Sequence, residues 1–424
     1  MNNHALTSIL IFVFVYALII ADLLPRTIVT LAGAVLLFIL GILKDTQVVS
    51  LINWEAMGLI LGMFILVRVL VESGFFDFLS AYVIKLSKGK PMTVFISLAI
   101  VTGMMAAFMD SITVMLFMAS LSIQTAKKLN MDPVPFVLSQ IASSNLGGSA
   151  TLMGNPPNII LGTGLGITLA QYIIYLAPLV FVLLILNAYL FYFANRNDFL
   201  KAKTLEMDYV NSIKPYSSIK NIYMFYSGVF SFLITILLLI IHEKIGITVG
   251  HVGIIGATIV LVLNGHRVGD VWEKIDWEVI VFFATLFIII GALEVTGVIQ
   301  SLANVIVSFA KGSALITKNV LLWTSSILSG FIDNVPFAAS MVPLIKALAG
   351  KVPVSLLSMG LITTFGTDVG GNLTPIGASP NVVGLSILRN AGIEVSWGEY
   401  IKKVAPITIL EIILADILFI FMYH

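Results

Sequence analysis

Between Asn145 and Asn158 the chain reads NLGGSATLMGNPPN, a run of glycine, proline and small polar residues set where apolar flanks would otherwise continue a helix. Proline removes a backbone donor and glycine loosens the backbone, so no regular helix passes through such a run. The same device returns 223 positions later (145 to 368), where Asp368 to Asn381 reads DVGGNLTPIGASPN. On that offset Gly147 falls on Gly370, Gly148 on Gly371, Thr151 on Thr374, Gly154 on Gly377, Pro157 on Pro380 and Asn158 on Asn381. Matching interruptions in two halves predict a duplicated fold organised around a pair of broken helices.

What surrounds the interruptions decides the solvent. Hydrophobic residues make up 59% of the 424 and charged residues 11%, whereas a soluble domain carries charge at about a quarter of its positions. With a mean hydropathy of +1.06, this is a multi-spanning membrane protein. Its net charge of +1 selects no charged partner, and no basic stripe supports nucleic-acid binding. The absence of cysteine removes disulfides, thiolate metal sites and thiol nucleophiles. No phosphate-loop motif occurs, and His4, His242, His251, His266 and His424 lack metal-ligand spacing. The chain is therefore not expected to be an enzyme or to hold a cofactor, a coupling ion (H+ or Na+) apart. The segment after Met1 has neither a basic n-region nor a cleavage site and reads as a retained span.

A crossing helix needs about 20 apolar residues. Residues 1–194 are predicted to form a first repeat: plain spans near 6–21, 28–43 and 57–71, an interfacial stretch over 74–90, a re-entrant hairpin over 92–125, a broken helix over 133–165 and a plain span over 171–194. Residues 195–220 form a polar cytoplasmic linker. Residues 221–424 repeat the plan, with a hairpin over 318–348 and a broken helix over 352–388. Each half then crosses an odd number of times, so the second is inverted relative to the first. The expected fold is all-α and polytopic, with about 10 full spans. A cytoplasmic linker gathers the Lys and Arg of the first half on one side, Lys44 and the intramembrane Arg68 excepted, and leaves both termini non-cytoplasmic in a plasma membrane.

The candidate site follows from the interruptions. Half-helix N-termini attract negative groups and unwound carbonyls coordinate cations, so the paired loops can bind either sign. Asn145, Thr151, Asn155, Asn158, Asp368, Asn372, Thr374 and Asn381 are the candidate polar ligands, with Gly147, Gly148, Gly370 and Gly371 letting the backbone approach a solute. The hairpin tips add Asp110, Ser111 and Thr113 in the first half and Asp333 and Asn334 in the second. Asp110 and Asp333 read either as N-caps or as proton or cation carriers. Asp368 breaks the internal symmetry by placing an ionisable group where the first repeat has Asn145, and with Asp110 and Asp333 it is a candidate for proton or cation coupling. Carboxylates at both tips argue against a bare dicarboxylate unless bound cations intervene, and for a cation, a proton or a neutral hydroxylated solute. Other buried-segment charges read as structural: Arg68 and Glu72 as an i, i+4 pair, Glu411 and Asp416 at the membrane interface.

GGSATLMGNPPNII and GGNLTPIGASPNVV, together with MDSITVMLFMA and IDNVPFAASMVP, resemble the ion-transporter superfamily. The similarity is to its arsenite permease and NhaD-type antiporter group, which includes the melanosomal P protein. The resemblance spans nearly the whole chain. It implies a scaffold domain, a transport domain of both hairpins and both broken helices, elevator-like alternating access and a homodimer. It also implies proton-coupled arsenite or antimonite efflux, in some relatives with an ATPase partner, with sodium/proton antiport, anion or di/tricarboxylate transport and a passive anion channel as alternatives. The more distant sodium/dicarboxylate symporters carry SNT at each hairpin tip, where this chain has Asp110-Ser111 and Asp333-Asn334.

Overall fold

The computed structural model describes the chain apart from residues 1–2, 22–23, 206, 266–270, 272 and 423–424; His266 and His424 therefore lie outside the described residues. Among the described residues every regular element is a helix. The first half runs α1 (Asn3–Ala21), α2 (Arg26–Ile39), α3 (Asp45–Leu51), α4 (Trp54–Ser73), α5 (Phe75–Leu86), α6 (Pro91–Ala106), α7 (Ser111–Lys128), α8 (Pro133–Gly148) and α9 (Pro156–Leu165). After α10 (Leu169–Gln171) a π turn over Tyr172–Leu176 leads into α11 (Ala177–Ala194). The linker holds α12 (Arg196–Lys201) and α13 (Met207–Ser212). The second half runs α14 (Ile222–Ile245), α15 (Val249–Asn264), α16 (Trp277–Val295), α17 (Val298–Ala310), α18 (Ala314–Ser329), α19 (Asn334–Leu348), α20 (Leu356–Gly370), α21 (Ser379–Asn390) and α22 (Trp397–Met422).

Helix starts at residues 54, 91, 111, 133 and 156 recur at 277, 314, 334, 356 and 379, each 223 positions on. The local chemistry recurs with them. Asn53 caps α4 by accepting from the Ala56 N–H, and its counterpart Asp276 caps α16 by accepting from Val279. Gly74 and Gly297 turn the chain out of those helices at φ of 84° and 80°, a left-handed conformation that glycine adopts without a Cβ clash.

The helices fall into two packed groups. In one, α4 lies against α15 and α14, and α2 against α16 and α1. Here Gly58 and Gly62 meet Gly250 and Gly253 backbone to backbone, the small-residue contact that lets membrane helices approach closely. In the other, α8 packs on α6, α7 and α11, α20 on α18 and α22, and α21 crosses to α7 and α8. The groups meet where α4 touches α9 and α16 touches α19.

Five described helical segments have the length and apolarity of a full crossing: Asn3–Ala21, Trp54–Ser73, Leu169–Ala194, Ile222–Ile245 and Trp277–Val295. Their outer faces expose Leu6, Leu10, Phe14, Phe181, Phe230 and Leu237, as suits a lipid solvent. One expectation needs revision. The segment over 171–194 is not a plain helix, because Pro178 has no N–H and crowds the carbonyl four residues before it; the widened turn, closed by Ala177 N–H on the Tyr172 carbonyl, absorbs the mismatch.

Candidate functional site

Both interrupted helices are tied by the same bonds. Asn158 Nδ2 donates to the carbonyls of Gly148 (2.7 Å) and Thr151 (2.8 Å), and Asn381 Nδ2 to those of Gly371 and Thr374 (both 2.8 Å). The Thr151 hydroxyl bonds the Ala107 carbonyl and the Thr374 hydroxyl the Gly330 carbonyl, fastening each loop to the turn of its own hairpin. These side chains supply the donors that the freed backbone carbonyls need inside a membrane protein. The two loops then lock together through Asn145, whose Nδ2 donates to Asn372 Oδ1 at 2.7 Å and Asn381 Oδ1 at 2.8 Å.

The glycines do other work than the sequence suggests. A Cβ on Gly147 would fall 2.0 Å from the Gly103 carbonyl oxygen, one on Gly148 2.3 Å from Asn155 Nδ2, one on Gly370 2.3 Å from the Ser326 carbonyl oxygen, and one on Gly371 2.9 Å from Ala378 Cβ. Gly147 and Gly370 are packing glycines that bring α8 onto α6 and α20 onto α18, while Gly148 and Gly371 let each loop fold back closely on its own Asn155 or Ala378.

In front of the loops lies a cavity of about 600 Å³. Its wall holds Asp110 and Thr113 of the first tip, Asp333 and Asn334 of the second, Asn155 and Pro156 at the start of α9, and Ser379 and Pro380 at the start of α21. Four helix N-termini, those of α7, α9, α19 and α21, thus face one space with their positive ends. Asp110 and Asp333 both cap, accepting from Thr113 N–H at 3.0 Å and Val335 N–H at 3.1 Å. Ser111 lies behind the tip and bonds Asn155 Oδ1. Asn145, Thr151, Asn158, Asp368, Asn372, Thr374 and Asn381 sit behind the cavity wall, at most 3% exposed.

The opposite wall comes from the other helix group; of its charges the sequence singles out only Arg68, as the structural partner of Glu72, and not as part of the site. Arg26, the first residue of α2, is ion-paired with Asp333, and Tyr16 donates to the Pro336 carbonyl at 2.7 Å. Arg68 and Lys274 line the same space and share Glu72, at 2.7 and 2.9 Å. Arg26 carried no signal because it begins an apolar segment like any interfacial arginine; only the fold sets it against the second tip.

Two buried carboxylates stand apart. Asp368 is fully buried, with the Asn155 and Asn158 side chains beside its carboxyl. Glu411, expected at the interface, is also fully buried, with both oxygens unpartnered among the described residues. It lies on the stripe of α22 with Tyr400, Val404, Thr408, Ala415 and Phe419, which faces protein instead of lipid. Asp416 remains nearer the periphery, where it accepts from Trp323 Nε1 at 2.9 Å.

An apolar all-helical body that gathers two hairpin tips, two interrupted helices and charges of both signs around one cavity defines a membrane-embedded transporter. The chain belongs to the citrate transporter family, whose family model matches residues 16–366. It is 31% identical over 418 residues to a 46 kDa membrane protein of Mycobacterium leprae, with 97% of each chain covered. It is 26% identical over 480 residues to the human P protein, covering 94% of this chain and 57% of that one. The fold is that of solved transporters: MtrF of Neisseria gonorrhoeae, described among antimetabolite efflux pumps (TM-score 0.59, 13% identity, 88% and 82% covered), and YdaH of Alcanivorax borkumensis (TM-score 0.60, 15% identity, 88% and 86% covered).

Proposed function

We propose that this protein is a secondary active transporter that carries a carboxylate-bearing organic anion through the central cavity, coupled to a cation or proton at Asp368. The observation that carries the reading is Arg26 beside Asp333. The pair neutralises one of the two tip carboxylates, Asp110 remaining as the cap of α7; Arg68 and Lys274, which share Glu72, line the space together with Asp276, Glu278 and the N-termini of α9 and α21, which carry no carboxylate cap. A guanidinium already holding one carboxylate has the fork geometry to hold another. The description of the family as citrate transporters agrees with this chemistry. Arsenite, the leading cargo suggested by resemblance, is small and uncharged at neutral pH and would use neither the volume of about 600 Å³ nor the cations.

Transport follows by alternating access, the hairpins and broken helices moving as a unit against α2, α4 and α16 in an elevator-like stroke. The polar linker is cytoplasmic and both termini are on the other face of a plasma membrane. Reconstituted vesicles offered labelled citrate, arsenite or sodium under an imposed pH gradient test the reading. Saturable citrate uptake supports it; arsenite or sodium flux without citrate flux, or currents linear in voltage and indifferent to the gradient, would replace it with a permease, an antiporter or a channel.

A further inference from the structure

Charges and helix ends make only part of the cavity wall, and much of the rest is hydrocarbon. On α4, Phe64 and Val67 lie a turn apart and line the space, while Arg68 beside them is turned on Glu72. On α7 the wall continues past the tip from Thr113 to Leu116 and Phe117. Leu116 keeps 47% of its surface exposed, and Phe117 is held from behind by stacking on Phe76 at 4.8 Å. On α16 the wall is made by Phe282 and Phe283. Three helices thus set aliphatic and aromatic side chains around one space.

This hydrocarbon lies close to the guanidinium. α2 runs beside α16, where the Thr27 hydroxyl donates to the Glu278 carbonyl at 3.0 Å and the Thr285 hydroxyl to Thr30 Oγ1 at 2.7 Å. Phe282 follows Glu278 by four residues, about 6 Å along the axis, so it falls roughly one turn from Arg26, the neighbour of Thr27. A pocket with such walls holds hydrocarbon by burial and orients it with a few polar groups. Citrate uses only the polar groups: bound at Arg26, it leaves the apolar walls facing water, where they gain nothing. The volume of about 600 Å³ falls in the range of about 300–1,000 Å³ that holds drug-sized ligands.

We infer that the preferred cargo is an amphipathic carboxylate, whose carboxyl groups lie at Arg26 and the N-termini of α9 and α21 and whose alkyl or aryl arm lies against Phe64, Val67, Leu116, Phe117, Phe282 and Phe283. This rests on the proposed reading of the chain as an organic-anion carrier. Charge sets which end of the cargo meets Arg26, and the apolar walls set the affinity added by the arm, in proportion to the area it removes from water.

Calorimetric binding of malonate, ethylmalonate, butylmalonate and benzylmalonate to the purified protein tests the assignment. Affinity should rise about two- to fourfold per methylene while the arm stays inside the cavity, and benzylmalonate should bind at least tenfold more tightly than malonate. Leu116→Gln puts an amide at the exposed part of the apolar wall and should cut the butylmalonate-to-malonate affinity ratio at least fivefold. Arg26→Gln should weaken every member of the series and leave that ratio as it is. Affinity that ignores the arm, or a ratio that Leu116→Gln does not move, would overturn the inference and leave the apolar wall as a surface on which the two helix groups slide. 1-Pentanol and pentylamine carry such an arm without carboxyl groups. If they bind and no malonate does, the anion reading fails and the apolar subsite stands; if none of these compounds binds, both are wrong.

Discussion

Arg26 and Asp333 lie 307 positions apart in sequence and form an ion pair across the boundary between the two helix groups. The Asp333 side chain is only 5% exposed and also caps α19, whereas Arg26 keeps 36% of its surface open to the cavity. The carboxylate is committed and the guanidinium is available, which is the asymmetry the proposed anion would use.

Arg26→Gln should strand the Asp333 charge. Loss of one partner from a fully buried pair costs about 3–5 kcal/mol, and the partial exposure of Arg26 lowers that to about 1–3 kcal/mol here. Thermal unfolding in detergent of Arg26→Gln and of Arg26→Gln/Asp333→Asn should show the second change restoring stability, while citrate uptake stays depressed in both. Uptake recovered along with stability would mean that the pair is only a strut.

The packing glycines give a second test. Gly147→Ala drives a methyl into the Gly103 carbonyl, and overpacking of that kind costs about 1–3 kcal/mol. Gly166→Ala meets nothing within 4 Å and suffers only its φ of +70°, about 1 kcal/mol. Yields of monodisperse protein should fall much further for the first; equal yields would remove the close-contact argument.

At the start of α21, Ser379 puts a backbone N–H and a hydroxyl at the cavity wall where the first repeat has Pro156, which has no N–H. Ser379→Pro is compatible with the first turn of a helix, so the fold should persist while the apparent KM for citrate rises about tenfold, equivalent to roughly 1.4 kcal/mol. An unchanged KM would take the N-terminus of α21 out of the recognition site.

Much of this was legible in the sequence, for physical reasons that differ by feature. The broken helices announce themselves because glycine and proline break a local pattern, and the 223-residue echo at Asp368–Asn381 makes that break countable. Asp110 and Asp333 were visible as charges in apolar runs. Their partners were not: nothing local marks Arg26 as opposite Asp333, and nothing in the last span shows that Glu411 is fully buried while Asp416 lies nearer the periphery, because two carboxylates in a largely apolar stretch do not define a polar face. Thr151, Thr374, Asn158 and Asn381 were singled out as ligands for a solute, yet their hydrogen bonds go to the backbone that the interruptions left open.

Glu411 supplies a fourth prediction. A buried carboxyl with no partner is a cost to the fold, so Glu411→Gln should leave melting temperature unchanged or raise it, whereas Glu411→Ala should lower it by leaving a void, about 1–3 kcal/mol. Loss of stability in Glu411→Gln equal to that of Glu411→Ala would show that the carboxyl has a partner there.

The central claim, that an organic anion is recognised in the cavity between the hairpin tips and Arg26, is tested most directly by equilibrium binding of labelled citrate to the purified protein, wild type beside Arg26→Gln. The account predicts saturable binding to the wild type, competed by other polycarboxylates and not by arsenite, and weakened at least tenfold in the variant. Binding that is absent from the wild type, or equal in the two proteins, would contradict it.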